Sequence, residues 1–272
     1  MTQTENNSRQ RILVTNDDGI DSPAIWLMAE ALTELGEVII VAPKEQHSGA
    51  GRSYSGRTGV SEKVALPEGS RIKDAYSFEA TPAKAVVFAL FQIYSEQLPD
   101  LVVSGINYGE NPGTCITSSG TIGAAIEASV NGIPALAISR AVPPSEYLKH
   151  SDEIDFNTAV YFTTFFAKHM LTDENFKLLE ILKVDVPADA LPTTPWKVTR
   201  LSRYRYFEPR IQVREDGTRE IGYWINPDHP QIRPGDDVYA LLHEKIVSVT
   251  PLTLDMTAPV NFEQLESAGK NK

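Results

Sequence analysis

The chain has 272 residues, of which 42% are hydrophobic, and a formal net charge of −11 from 25 Lys and Arg against 36 Asp and Glu. That apolar content builds one large domain, or a domain with an elaboration, while the acidic balance argues against a general nucleic-acid binder. A single cysteine, Cys115, excludes an internal disulfide, and no apolar stretch reaches the length of a membrane span. Residues 1–10 are polar and read as a disordered lead-in without the apolar core of a signal peptide, so a soluble cytoplasmic protein is expected. A buried strand is expected over about 11–15, where Ile12, Leu13 and Val14 run into Asn16-Asp17-Asp18-Gly19. Ser22-Pro23 opens a helix, serine as cap and proline in the first turn. Its stripe is Ile25, Leu27, Met28, Ala31, Leu32 and Leu35, and Gly36 closes it. Residues 38–42 give a second buried strand, and the strand–helix–strand unit should be parallel and right-handed.

A polar loop over 43–57 follows, holding Gln46-His47-Ser48-Gly49-Ala50-Gly51-Arg52-Ser53. Its small residues let backbone amides approach a ligand, although the composition equally suits a mobile surface loop. Residues 58–80 read as extended. Thr81-Pro82 opens a helix to about Tyr94, and 101–104 is a further buried strand. A long loop over 105–120 carries Asn107 and Asn111 and ends in Ser119-Gly120-Thr121, which leads into a small-residue helix over 122–128. Residues 134–139 give another strand. A helix is expected over about 151–169, its Tyr161, Phe162, Phe165 and Phe166 reading as core, with a strand over 178–184. After Pro187 the strand–helix rhythm stops. Residues 210–224 read as a hairpin turning at Asp216-Gly217. A lone hairpin is marginal, so it is expected to pack on another subunit. Residues 247–252 form a closing strand, and a short helix with a frayed tail is expected from about 262.

The chemistry concentrates at strand ends. In open α/β sheets the crevice at the carboxyl ends of the strands takes the ligand. Asp17 and Asp18 there repel each other unless a cation or proton intervenes. The pair therefore suits either a hard divalent cation with oxygen ligands or an ordinary polar turn. Ser119-Gly120-Thr121 suits a phosphate at a helix mouth, or a simple N-cap.

Five motifs stand in order: Thr15-Asn16-Asp17-Asp18-Gly19; Ser48-Gly49-Ala50; Ser104-Gly105-Ile106-Asn107 with Gly109 and Asn111; Ser119-Gly120-Thr121; and Val247-Ser248-Val249-Thr250-Pro251-Leu252. Together, over about 11–256, they resemble the SurE family of stationary-phase survival proteins. The resemblance implies one α/β domain over 11–256 with a Rossmann-like, mostly parallel sheet flanked by helices. It implies a C-terminal β-hairpin arm, about 196–226, exchanged in homodimers or homotetramers, and a tail over 257–272. It implies one divalent cation, magnesium or manganese, on Asp17, Asp18, Ser48 and Asn107. The implied activity is hydrolysis of nucleoside 5′-monophosphates to nucleoside and phosphate, with short-chain polyphosphate as an alternative substrate. Asp17 and Asn107 are then the catalytic candidates, and Asn111, Ser119, Gly120 and Thr121 the phosphate-binding ones. His47, beside Ser48, is a candidate acid or base by residue type alone.

Three positions depart from the family pattern: Lys84 replaces an acid, Ser118 a tyrosine, and an acid usual near Cys115 is missing. They leave open a catalytically weak nucleotide-binding protein of the same fold. Two other phosphoryl-transfer readings fail. A receiver domain needs an acceptor aspartate where Ser104-Gly105 stands, and a haloacid-dehalogenase-like phosphatase needs Asp-x-Asp where Asn16-Asp17-Asp18 stands. The turn after the first strand also lacks the three-glycine dinucleotide fingerprint.

Overall fold

Strand β1 (Gln10–Thr15) is a central strand of a nine-stranded sheet and is buried from Ile12 onward. The computed structural model describes residues 9–55, 59–147, 149, 151 and 153–270. The chain continues through α1 (Pro23–Leu32), β2 (Gly36–Pro43), β3 (Ser61–Lys63), β4 (Asp74–Phe78) and α2 (Pro82–Phe88). Then come β5 (Leu101–Tyr108), α3 (Gly120–Val130), β6 (Ala135–Arg140), α4 (Asn157–Thr172), β7 (Ile181–Val186) and β8 (Trp196–Val198). The remainder is β9 (Glu208–Val213), β10 (Arg219–Trp224), the short α5 (Asp237–Tyr239), β11 (Val247–Leu252) and α6 (Phe262–Lys270).

The sheet runs β3-β4-β2-β1-β5-β6-β7-β11-β8. The six strands from β4 to β7 are mutually parallel. Numbered among themselves, they lie in the order 3-2-1-4-5-6, so the direction of winding reverses between β1 and β5. β3 and β11 join antiparallel, and β8 extends the edge parallel to β11. Alternate residues of each strand feed two apolar layers, as a period of two requires. Ile12, Val14, Val38 and Ile40 pack with α1 and α4, while Leu13, Ile39, Val41 and Val102 pack with α2 and α3. The antiparallel pair β9–β10 stands outside this sheet, with Ile211, Val213, Ile221 and Tyr223 exposed. Among the described residues no helix is long and apolar enough to cross a membrane.

Several boundaries differ from the sequence reading. Residues 1–8 of the expected lead-in, and 56–57 of the polar loop, lie outside the described residues, and Gln10 already belongs to β1. Helix α1 ends at Thr33, whose hydroxyl donates to Glu30 O at 2.6 Å, so Gly36 does not close it. Gly36 instead opens β2, where a Cβ would strike Gln10 O of the paired strand. The helix expected to run to Tyr94 is α-helical only to Phe88 and finishes as a π-turn over Ala89–Ile93. β5 extends four residues into the expected 105–120 loop, with its register against β6 shifting between Ser104 and Asn107. Helix α4 begins at Asn157 rather than 151, and β7 at Ile181 rather than 178. The hairpin strands take Glu208–Val213 and Arg219–Trp224, with Gly217 at the turn at φ +82°.

Candidate active site

At the end of β1, Asn16 locks the turn onto itself. Its Nδ2 donates to Gly19 O at 2.9 Å and its Oδ1 accepts from Gly19 N at 3.1 Å. This leaves Asp17 and Asp18 side by side where the winding reverses, 5% and 2% exposed. A helix, a strand and a loop close on them. From α3, Thr121 Oγ1 donates to Asp17 Oδ1 at 2.5 Å. From β5, the Tyr108 amide donates to Asp18 Oδ2 at 3.2 Å. From the loop after β2, Gln46 Nε2 donates to Asp18 Oδ1 at 3.0 Å and the His47 amide to Asp17 O at 2.7 Å.

Burial pushes the Asp17 carboxyl above its ordinary range, opposed by the Thr121 hydroxyl and by the amides of Asp17, Thr121 and Gly120. Burial raises Asp18 further, and the neighbouring charge of Asp17 adds to it. The Tyr108 amide and Gln46 offset only part. Among the described residues neither carboxylate has an ion-pair partner, and no three Asp, Glu, His or Cys side chains gather as a metal-binding group. The pair is thus two buried carboxyl groups met by hydrogen-bond donors and by no positively charged side chain among the described residues. That chemistry fits a hard divalent cation and not a thiolate- or imidazole-bound one.

Of the other residues singled out from the sequence, Gly120 and Thr121 touch Asp17, and Asn107, Ser119 and Asn111 are held by bonds of their own. Ser48 is exposed, one residue beyond the His47–Asp17 link. Asn107 adjoins Tyr108, and its Nδ2 donates to Gly109 O at 2.5 Å. Ser119 is the N-cap of α3, its hydroxyl accepting from Ile122 N at 3.2 Å. Gly120 touches the centre itself, since a Cβ there would stand 2.7 Å from Asp17 Cβ. Asn111 is tied elsewhere. Its amide donates to Asp185 Oδ1 at 2.7 Å and its Nδ2 to Ser139 Oγ at 2.9 Å.

Sequence reasoning missed the cluster that holds Asn111. Lys183 and Asp185 are fully buried on β7 and pair with each other, and Lys183 Nζ lies 3.1 Å from Asp237 Oδ2. Burial opposes the lysine's charge, but the two aspartates outweigh it and hold its pKa above the ordinary value. Asp237 also accepts from Gly113 N and Ser202 N, each at 2.9 Å, linking the loop after β5 to the segment that leads to the hairpin. Alternating charge in Lys183-Val184-Asp185 looks like a strand with one wet face, and no local signal marks it as covered.

A family model described as survival protein SurE matches residues 12–208. This chain belongs to the SurE family. Among similar SurE proteins, the 5′-nucleotidase SurE of Thermococcus gammatolerans is 43% identical over 258 residues, spanning 94% of this chain and 95% of that one. The 5′-nucleotidase SurE of Methanothrix thermoacetophila is 41% identical over 262 residues, spanning 94% and 97%. The crystal structure of the SurE protein from Aquifex aeolicus covers 96% of this chain and 98% of its own, with a TM-score of 0.75 at 31% identity. The three departures from the SurE pattern lie on α2 and on the segment that leads into α3. Lys84 lies half-buried in the first turn of α2, where its amide donates to the Thr81 cap at 3.5 Å. Cys115 is half-buried in the turn Gly113–Thr117, where burial raises its thiol. Ser118 is exposed, and its carbonyl accepts from Gly51 N at 2.8 Å.

Proposed function

We propose that this SurE chain is a 5′-nucleotidase that hydrolyses nucleoside 5′-monophosphates to nucleoside and phosphate with one divalent cation, magnesium or manganese. The observation that carries the reading is the buried Asp17–Asp18 pair with the first turn of α3 packed against it, in a chain 43% identical to a 5′-nucleotidase over 94% of its length. Asp17, Asp18, the Ser48 hydroxyl and the Asn107 amide oxygen would hold the cation, Asn107 Nδ2 being engaged by Gly109 O. Bound there, the cation supplies positive charge against the phosphoryl oxygens and lowers the pKa of a water.

The chain's own groups do the positioning. Thr121 and Gln46 fix the two carboxylates in place. The first turn of α3 offers amides and the favourable end of the helix dipole to a phosphate. Ser119 accepts its cap hydrogen bond and so keeps its own O–H to donate. The His47 ring is half-buried, and burial lowers its pKa against the opposing charge of Glu45, so it is neutral at pH 7 and able to accept a proton. In-line attack then draws its acceleration from positioning and fixed charge.

The exposed apolar side chains of β9 and β10 support assembly through the hairpin into a homodimer or homotetramer. A cytoplasmic location is part of the same reading, supported by the lone cysteine.

The test is phosphate release from a panel of nucleoside monophosphates and short polyphosphates, with magnesium, manganese or excess chelator. Metal-dependent release is expected, lost in Asp17→Asn while its circular dichroism stays unchanged. Full activity of that variant, or of the wild type in excess chelator, refutes the mechanism.

A further inference from the structure

The loop that carries Ser48 is held on two sides. At one end, His47 N donates to Asp17 O at 2.7 Å. At the other, Gly51 N donates to Ser118 O at 2.8 Å, and Arg52 Nε donates to Glu127 Oε2 at 2.7 Å. Only three residues, 48–50, span the gap between the two anchors, and Gly49 at its middle has φ +75° with nothing within 4 Å of a Cβ position. Ala50 N donates to His47 O at 3.1 Å, so Ser48 sits exposed in a short turn slung between the two anchors.

The far anchor rests on α3 and on Ser118, two residues before it. A Cβ on Gly123 would strike Gly51 O and stand 2.7 Å from Arg52 N, so the loop backbone lies directly on the helix. One turn further, the Glu127 side chain is 3% exposed, while Arg52 is 38% exposed and reaches in to meet it. Asn131 Nδ2 supports Glu127 Oε1 at 3.3 Å. The same helix holds Asp17 through Thr121. One rigid element thus sets both Asp17 and the loop serine.

We infer that the Arg52–Glu127 pair is a positioning device for cation binding, fixing the loop so that Ser48 stands where it completes the oxygen shell around Asp17 and Asp18. The inference rests on the reading of Ser48 as a ligand given above. Groups that orient metal ligands without touching the metal typically change affinity by about 10–100-fold when removed.

The test is calorimetric titration of the full-length protein with manganese chloride alone, beside hydrogen exchange of residues 47–53. Arg52→Met is the main variant, because a partly exposed arginine is removed with less risk to folding than a buried glutamate. It is expected to weaken manganese binding about 10-fold and to raise exchange at 47–53, with the melting profile unchanged. Arg52→Lys keeps the charge, loses the Nε donor, and should recover part of the affinity. Ser48→Ala should weaken binding to a similar degree, and adding Arg52→Met to it should change little more, since coupled residues do not add. Wild-type affinity in Arg52→Met, no effect of Ser48→Ala, or full additivity of the two overturns the inference. Asp17→Asn separates this failure from that of the broader reading. If it abolishes manganese binding, the cation site stands whatever Arg52 does; if it binds as the wild type, the site itself falls.

Discussion

Gly120→Ala tests the contact between α3 and Asp17. The added methyl would lie 2.7 Å from Asp17 Cβ and 2.8 Å from Asp17 Oδ2. Carbon atoms in ordinary contact sit about 3.5–4.0 Å apart, so the helix and the carboxylate must separate by about 1 Å. The backbone itself is permissive, because Gly120 is not in the left-handed region and alanine favours a helix by about 1 kcal/mol over glycine. Overpacking costs about 1–3 kcal/mol, which leaves a net loss of at most about 2 kcal/mol. The effect on catalysis should be far larger. A shift of about 1 Å costs on the order of 100-fold, or about 2.7 kcal/mol of barrier, and the Thr121–Asp17 hydrogen bond at 2.5 Å goes with it. Phosphate release from a nucleoside monophosphate should fall about 100-fold in kcat/KM, with the melting temperature changed by only a few degrees. Wild-type turnover in Gly120→Ala would refute the claim that the first turn of α3 sets Asp17 for the proposed reaction.

In excess chelator, Asp17→Asn should be more stable than the wild type at neutral pH. Both carboxyls are held above their ordinary value near 3.8, so the folded state keeps protons the unfolded state has lost. That contribution to stability is complete below pH 3.8 and lost as pH rises through the folded pKa. The advantage of the variant should therefore shrink on lowering pH toward 4, and denaturant melts at several pH values check it; a gap that widens toward acid contradicts it. Lys183→Met should cost about 3–5 kcal/mol, because it leaves Asp185 and Asp237 buried without their cation. Chemical denaturation reads this directly, and a loss under 1 kcal/mol would show the triad to be unimportant. Ile211 and Ile221 face each other across the hairpin, 59% and 61% exposed. If the chain assembles through the hairpin as proposed, Ile211→Asp should shift sedimentation toward the monomer, whereas unchanged sedimentation would count against assembly through the hairpin.

The strands were legible because their signal is local. Runs such as Ile12-Leu13-Val14 and Val38-Ile39-Ile40-Val41-Ala42 are apolar on both faces, which only a strand covered on both sides requires. The Asp17-Asp18-Gly19 turn carried its chemistry in residue type, since two adjacent acids after a buried strand demand compensation wherever they end up. Family resemblance suggested the ligand set proposed above, from spaced motifs none of which is decisive alone. Boundaries were less legible. Gly36 has the composition of a helix stop, yet its reason is a strand pressed against Gln10 O.

What the sequence determined by itself was the alternation of strand and helix, the acidic turn, and the hairpin with its turn at Asp216-Gly217. What only the tertiary structure decided was which distant surfaces cover those elements. Lys183-Val184-Asp185 has the pattern of a half-wet strand, and it is the approach of Asp237, more than fifty residues later, that makes both charges tolerable in the core. Asn111 stands within a site motif, yet Asp185 and Ser139 claim its hydrogen bonds. Gly123 reads as one more small helical residue until the loop backbone is seen lying on it. A periodic pattern records which side of an element is apolar, but burial, charge and close approach are properties of pairs. The second member of each pair lies where folding, not sequence proximity, has brought it.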